Sequence, residues 1–268
     1  MTPTTPPPHH ATEETEVLYG GNTSGPVVRV GDTVRKQWHR AAPSVTHLLR
    51  YLNRHGYEAA PRSHGRSLTG DQLLEYVPGT LADRDAPLDT AELRRLGRLI
   101  RDLHDLTARY RPRHPQQAVW DVRIPDPREE VLCHHDLAPW NLVRDGDRWV
   151  FIDWDGAGPG TRMGDLGYAA HGFVPLHPDG DPHADAVRLR ALADGYGCDR
   201  GLREELPDAI HHRVRGMYDL LVEGGRTGRA PWADLYARGH AGHWGPAAEY
   251  IARHRDLWLT ALLDEPVV

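Results

Sequence analysis

The stretch Val131-Leu-Cys-His-His-Asp-Leu-Ala-Pro-Trp-Asn-Leu-Val143 decides the fold. It sets one acid, Asp136, and one amide, Asn141, in a polar loop between two apolar flanks. Just beyond it, Trp149-Val-Phe-Ile-Asp-Trp-Asp155 reads as a strand of about six residues running to a second acid, Asp153. Asp145-Gly146 separates the two apolar runs, and that turn pair predicts a hairpin bringing Asn141 and Asp153 side by side. Turn chemistry alone accounts for Asp145 and Gly146, but not for a buried-looking His-His-Asp or an acid ending an apolar strand.

Such an arrangement meets the needs of phosphoryl transfer, in which an alcohol is aimed at a terminal phosphate and a carboxylate accepts its proton. Asp136 is the candidate catalytic base. Asn141 and Asp153 are hard oxygen donors of the kind Mg²⁺ takes when nucleotide phosphates and water complete its octahedron. The spacing His-x-Asp-x-x-x-x-Asn, followed by an apolar strand and an Asp, is that of the protein-kinase catalytic loop and metal-binding Asp, with Asp-Trp-Asp in place of Asp-Phe-Gly. His134-His-Asp-Leu-Ala-Pro-Trp-Asn141 and Phe151-Ile-Asp-Trp-Asp-Gly-Ala-Gly-Pro-Gly160, with Gly164-Asp-Leu-Gly167 beyond, resemble the aminoglycoside phosphotransferase and choline kinase-like family. The resemblance implies that Asp136 is the catalytic base, that Asn141 and Asp153 bind Mg²⁺, and that Asp165 is a structural acid. His135 departs from the family, which usually has Gly there.

Composition bounds the alternatives. At 268 residues and 30.1 kDa the chain is long enough for one large domain or two lobes. No apolar run approaches the ~18 residues of a membrane span, so no membrane partner is expected. The first sixteen residues read as a disordered tail and not a signal peptide. Cys133 and Cys198 have no metal-ligand spacing, and a cytoplasmic location fits best. A net charge of −6 argues against nucleic acid as the partner. Residues 1–78 carry eight basic and seven acidic groups, +1, and 79–268 carry 24 and 31, −7, which suits either a cationic acceptor or an ordinary soluble surface. Among 32 basic residues Lys36 is the only lysine, and lysine is the compact point charge that phosphate sites use.

Lys36 lies in the last of three short antiparallel strands predicted from Val17, Val27–Val30 and Thr33–Trp38. Period-two alternation puts Val34 and Lys36 on one face, an apolar floor beside a cation. The Gly/Asn/Ser-rich first turn lets backbone approach phosphates, and Thr33-Val-Arg-Lys36 resembles the kinase strand Val-Ala-Ile-Lys. Resemblance implies that Lys36 holds the phosphates of ATP (or GTP) and that Asn22, Thr23 and Ser24 cover them, although the assignment can slip by one to Arg35. Residues 43–55 form an amphipathic helix that stops at Gly56 and lacks the Glu that pairs with the lysine in kinases; Glu58 lies beyond the stop. Gln72-Leu-Leu-Glu-Tyr-Val-Pro-Gly79 is a strand running into a forced turn, the joint between lobes. Matched to the family's hinge, the Glu75 carbonyl and the Val77 N–H meet the adenine edge.

Residues 90–107 read as a core helix capped by Asp89, with His104 as a structural histidine on its flank. Residues 109–128, with four prolines, form a long connection. Further helices are predicted over 183–196, 200–223, 231–239 and 246–263. Asp179, Asp181, Glu204, Asp208, Asp219, Glu223 and Asp234 are candidates for meeting a cationic acceptor. Trp140, Trp154, Trp232 and Trp244 either stack on a substrate or pack in the core, and core packing is the safer reading. No His-Glu-x-x-His frame suggests zinc.

The expected fold is therefore α+β and protein kinase-like: a small N-terminal antiparallel sheet plus one helix over 17–78, a mainly helical C-terminal lobe over 79–268, and the active site between them. The expected activity is ATP-dependent phosphorylation of a hydroxyl on a small molecule, with a cationic antibiotic leading and choline-like alcohols, sugars or a peptide Ser/Thr as alternatives. Two rival classes are a His-Asp phosphohydrolase using His134, His135 and Asp136 as metal ligands, and a nucleotide- or antibiotic-binding protein without catalysis.

Overall fold

The computed structural model describes residues 15–18, 26–82, 87–112 and 114–264. Its N-terminal lobe is a five-stranded antiparallel sheet in the order β1-β2-β3-β5-β4, built from β1 (Thr15–Leu18), β2 (Val27–Val30), β3 (Thr33–Lys36), β4 (Ser63–Arg66) and β5 (Gln72–Glu75). β1 starts at Thr15, inside the segment expected as a tail; Asn22, Thr23 and Ser24 lie outside the described residues. One helix, α1 (Ala42–Arg54), backs the sheet through Val45, Leu48, Leu49 and Leu52, all essentially inaccessible to solvent. β4 escapes a reading by hydropathy because Ser63-His-Gly-Arg66 has no apolar alternation; it is a strand because β5 pairs with it across a bulge.

The joint between lobes runs from β5 into β6 (Thr80–Leu81), which pairs with β8 (Leu142–Asp145), itself paired with β9 (Arg148–Phe151). Gly79 turns the chain at φ +126°, and a Cβ there would lie 2.8 Å from the Arg144 carbonyl carbon. Only glycine fits a position that needs both that dihedral and that approach. The Asp145-Gly146 hairpin is as expected, but β9 ends at Phe151, short of Asp153, whose backbone is left-handed at φ +58°.

The C-terminal lobe is mainly helical. α2 (Thr90–Thr107) opens on a capping box in which Asp89 accepts the Ala91 and Glu92 amides while the Glu92 side chain accepts the Asp89 amide. Its apolar stripe, Leu93, Leu96, Ile100 and Leu103, is fully buried, and it packs on α4 (Pro182–Tyr196). The short pair β7 (Val131–Cys133) and β10 (Gly158–Gly160) brackets the β8–β9 hairpin and leads into α3 (Arg162–Phe173), capped by Thr161. α5 (Arg200–Thr227), α6 (Trp232–Ala237) and α7 (Ala241–Leu263) complete the lobe. α7 starts five residues before Pro246, where the expected helix began; a proline in the second turn still forfeits one bond, yet Trp244 and Ala247 bury that turn. No helix among the described residues is long and apolar enough to cross a membrane.

Candidate active site

The loop after β7 is hung on one buried carboxylate. Asp165, in the first turn of α3, accepts the His134 amide at 2.9 Å, the His135 amide at 2.8 Å and His104 Nε2 at 3.1 Å. Burial alone would raise its pKa, but the His104 hydrogen bond and the surrounding imidazoles outweigh it and hold the carboxyl well below the usual range. His104 is locked in turn by Tyr196, whose hydroxyl lies 2.9 Å from Nδ1, so it is the structural histidine expected. His135 sits at φ +65°, in the left-handed region that glycine enters freely and other residues rarely. The His here is clamped: Nε2 lies 3.1 Å from the Pro159 carbonyl and Nδ1 3.4 Å from Arg213 Nη2. Burial pushes its imidazole pKa down.

Two side chains fix the tip of the loop. Asn141 Nδ2 donates to the Asp136 carbonyl and to Asp136 Oδ2, both at 2.9 Å, which directs the amide oxygen of Asn141 away from Asp136. His134 accepts the Asp136 amide at Nδ1 (3.3 Å), so its Nε2 carries the proton and donates to the Ile152 carbonyl at 3.0 Å. The loop is thereby tied to the segment bearing Asp153, and the Ile152 amide donates to the Asn141 carbonyl at 2.8 Å. With both imidazoles bound to backbone carbonyls, His134 and His135 do not form the ligand set that a His-Asp phosphohydrolase requires. Burial raises the Asp136 pKa, against the opposing effects of His134 and of a hydrogen bond from the Tyr168 hydroxyl.

Lys36 reaches across from the N-terminal lobe. Its Nζ lies 3.0 Å from Asp153 Oδ1 and 2.7 Å from Asp155 Oδ2, and Asp155 Oδ1 lies 3.2 Å from His39 Nε2. Burial would lower the lysine pKa, but the two carboxylates more than offset it and the net shift is upward. Lys36, and not Arg35, therefore projects to the acid after β9, and Asp155 supplies the anion missing from α1; Glu58 takes no part in this pairing. Sequence reasoning passed over Asp155, Tyr168 and His39. Asp155 had a signal, since it follows Asp153 by two residues, but nothing in the sequence registers Tyr168 on α3 against Asp136.

Val34 stands two residues before Lys36 in β3, opposite Leu74 in the register. Val77 is buried against Val143, Val150 and Ile152, beneath the joint. The Glu75 amide donates to the Arg62 carbonyl, and its side chain forms a paired bond with Arg148 at 2.7 and 3.1 Å, joining β5 to the β8–β9 hairpin. Trp154, Trp232 and Trp244 are buried, as core packing predicts. Of the acids offered for a cationic acceptor, Asp181 caps α4, while Glu204, Asp208, Asp219 and Glu223 pair with Arg200, Arg255, Arg215 and Arg226.

The fold is kinase-like, with Lys36 of the N-terminal sheet facing the segment that carries Asp153. Residues 111–202, which span the Asp136 loop and Asp165, match the phosphotransferase enzyme family, in accord with the motif resemblance. No curated protein matches the sequence. Among solved structures the chain is similar to the amicoumacin kinase hAmiN in complex with AMP-PNP, Ca²⁺ and Ami, at 15% identity and a TM-score of 0.65, covering 90% of this chain and 88% of that one. It is also similar to a microcompartment-associated aminopropanol kinase (17% identity, TM-score 0.61, 94% of each chain). A third is the choline kinase LicA from Streptococcus pneumoniae (14% identity, TM-score 0.56, 90% and 93%). At these identities the likeness establishes the shared kinase-like fold.

Proposed function

We propose that the protein transfers the γ-phosphoryl group of ATP (or GTP) to a hydroxyl of a small molecule, with Asp136 as catalytic base. The observation that carries this reading is the convergence of two bonded pairs, Asn141 with Asp136 and Lys36 with Asp153, on segments tied by the Ile152–Asn141 backbone bond. The acceptor hydroxyl donates a hydrogen bond to Asp136; as its oxygen attacks phosphorus, the proton passes to the carboxylate and the bond to the nucleoside diphosphate breaks. The upward-shifted pKa of Asp136 suits a group that must hold this proton. Lys36 steadies the phosphates, Val34 floors the nucleotide, and the hinge backbone at Glu75 and Val77 meets the base. Asn22, Thr23 and Ser24 complete the phosphate cover in this scheme.

The donor set fits a divalent cation. Asn141 turns its amide oxygen from Asp136, and only Oδ1 of Asp153 bonds to Lys36 among the described residues. Both are hard oxygen ligands matched to Mg²⁺. When bound, Mg²⁺ neutralises charge on the phosphate oxygens.

The acceptor class we infer is a hydroxylated amine, either an antibiotic or an amino alcohol. Support comes from the kinase structures of like fold, named for amicoumacin, aminopropanol and choline, and from the acidic excess of the C-terminal lobe. The test is ATP consumption over a panel of aminoglycosides, amino alcohols, sugars and peptides, with mass spectrometry reading one added phosphate. An amine-bearing alcohol should be modified, and Asp136→Asn should cut kcat about 10²- to 10⁴-fold with nucleotide affinity little changed. Near-normal turnover by Asp136→Asn would defeat the assignment.

A further inference from the structure

A second concavity lies outside the catalytic cluster. It is a cleft of about 640 Å³ between the outer stripe of α1 and the connection that follows α2, within the size range of small-molecule sites. Its α1 wall is made by residues at helical spacing, Pro43, His47, Arg50, Tyr51 and Arg54, so one face of the helix lines the cleft with two arginines and a histidine. Arg111 and His114 face them from the connection. Among the described residues no acid lines this cleft, although the whole chain carries a net charge of −6. Among the described residues, carboxylates like those that pair arginines elsewhere, as Glu75 does Arg148 and Asp208 does Arg255, do not line this wall. Like charges gathered in a concave site without counter-charges repel one another, and a bound anion relieves that repulsion.

The walls are held in place by bonds at both ends, and Arg50 Nε also donates to the Ser63 carbonyl at 3.5 Å, at the edge nearest the sheet. Ser44 Oγ accepts the Val119 amide at 2.9 Å at one end, and the Tyr51 hydroxyl donates to the Leu106 carbonyl at 3.0 Å at the other. Arg111 Nη1 donates to the Ala108 and Tyr110 carbonyls at 2.9 and 2.8 Å, so one edge of its fork is pinned where α2 ends. Tyr51 and Tyr110 meet edge to face at 5.0 Å, and Trp120 closes the far side, which gives the cationic wall an aromatic floor. Arg54 is close enough to the half-buried Tyr110 hydroxyl to oppose the upward pKa shift that burial imposes on it. Planar guanidinium forks from separate elements are the usual donors to phosphate oxygens.

We propose that this cleft binds a small multivalent phosphate anion, carried by a nucleoside diphosphate or by an inorganic polyphosphate. The site shares no residue with the Lys36, Asp136, Asn141 and Asp153 cluster and stands independently of the catalytic reading. It connects to that cluster in sequence, because α1 begins three residues after His39, the partner of Asp155.

Isothermal titration of the full chain with inorganic tripolyphosphate tests the proposal in three proteins. In Lys36→Ala, which disables the phosphate grip of the catalytic cleft, tripolyphosphate binding should persist and weaken as ionic strength rises. In Arg54→Ala/Arg111→Ala the affinity should fall at least tenfold, with the thermal melt and phosphotransferase turnover retained as evidence of an intact fold. Arg50→Ala in place of Arg111→Ala supplies an independent pair should the first lose its fold. Titrating ADP into Lys36→Ala separates the sources: tighter binding of ADP than of tripolyphosphate identifies a nucleotide, the reverse identifies inorganic polyphosphate. Binding that vanishes in Lys36→Ala, that is unchanged by both arginine pairs, or that is never detected overturns the proposal.

Discussion

Lys36 Nζ is held 2.7 Å from Asp155 and 3.0 Å from Asp153, so the only lysine of the chain is paired by the segment after β9 and not by α1. The arrangement separates two tasks. If Asp153 turns to a cation when nucleotide binds, Asp155 and His39 still orient the lysine toward the phosphates. Asp155→Asn removes that anchor and should lower kcat/KM for ATP about tenfold to a hundredfold, mostly through KM. Asp155→Glu keeps the charge and should recover part of the loss. Steady-state kinetics alongside nucleotide titration of each variant checks this, and an Asp155→Asn enzyme with wild-type KM would show that Asp153 alone positions Lys36.

Tyr168 is the second control on the site. Its buried hydroxyl bonds to the Asp136 carboxyl and stabilises the charged form, opposing the rise that burial imposes on the pKa. Tyr168→Phe deletes the donor, so the proton is held more tightly. In the proposed mechanism Asp136 acts unprotonated, and the acid limb of the kcat profile should therefore move to higher pH, by about one unit for a hydrogen bond to a charged group. ATP affinity should stay within a few-fold. A pH profile superimposable on the wild type would mean that Tyr168 does not bear on Asp136 in the working enzyme.

The parts of this site legible in the sequence were those carried on contiguous segments. Asp136, Asn141 and Asp153 stand at motif spacing around an Asp-Gly hairpin, and Lys36 was marked by being the only lysine. What escaped were relationships set by tertiary packing: the Tyr168–Asp136 bond joins helix to loop, and Glu75 uses its carboxylate to grip Arg148 where only its backbone had been considered. Several of the acids proposed for a cationic acceptor already carry an arginine partner. Sequence counts charges but does not show that Asp208 is already bound to Arg255, 47 residues away. Helix ends moved where burial outweighed local signals, as at Pro246.

His135 tests how much the left-handed turn before Asp136 costs. A histidine at φ +65° is strained but tolerated, while a β-branched residue there is far less favourable. Both His135→Gly and His135→Val lose the ring bonds to Pro159 and Arg213, so their difference isolates the backbone. His135→Val should be less stable than His135→Gly by roughly 1–3 kcal/mol, measured by urea unfolding. His135→Gly should keep most of its kcat, because Asp165 still holds the loop amides. Equal stability of the two variants would place the strain elsewhere.

Asp165 is the group on which the loop's stability turns. Its carboxylate satisfies two buried amides and His104, so Asp165→Ala leaves three donors without their acceptor and should cost roughly 3 kcal/mol or more. The pH dependence follows from the sign of its shift. The folded-state pKa is depressed below the ~3.9 of a free aspartate, so its contribution is fully present above that value and is lost as pH falls toward the folded pKa. His135 adds a second, earlier slope. Its folded pKa is lowered from about 6.5, so on acidification the unfolded chain takes the proton first and stability declines below that pH. Urea unfolding from pH 7 downward should show both slopes in the wild type, with the one below about pH 4 flattened in Asp165→Asn and the one below about pH 6.5 retained. A variant within 1 kcal/mol of the wild type, or one keeping the full acid slope, would remove Asp165 from the centre of the loop.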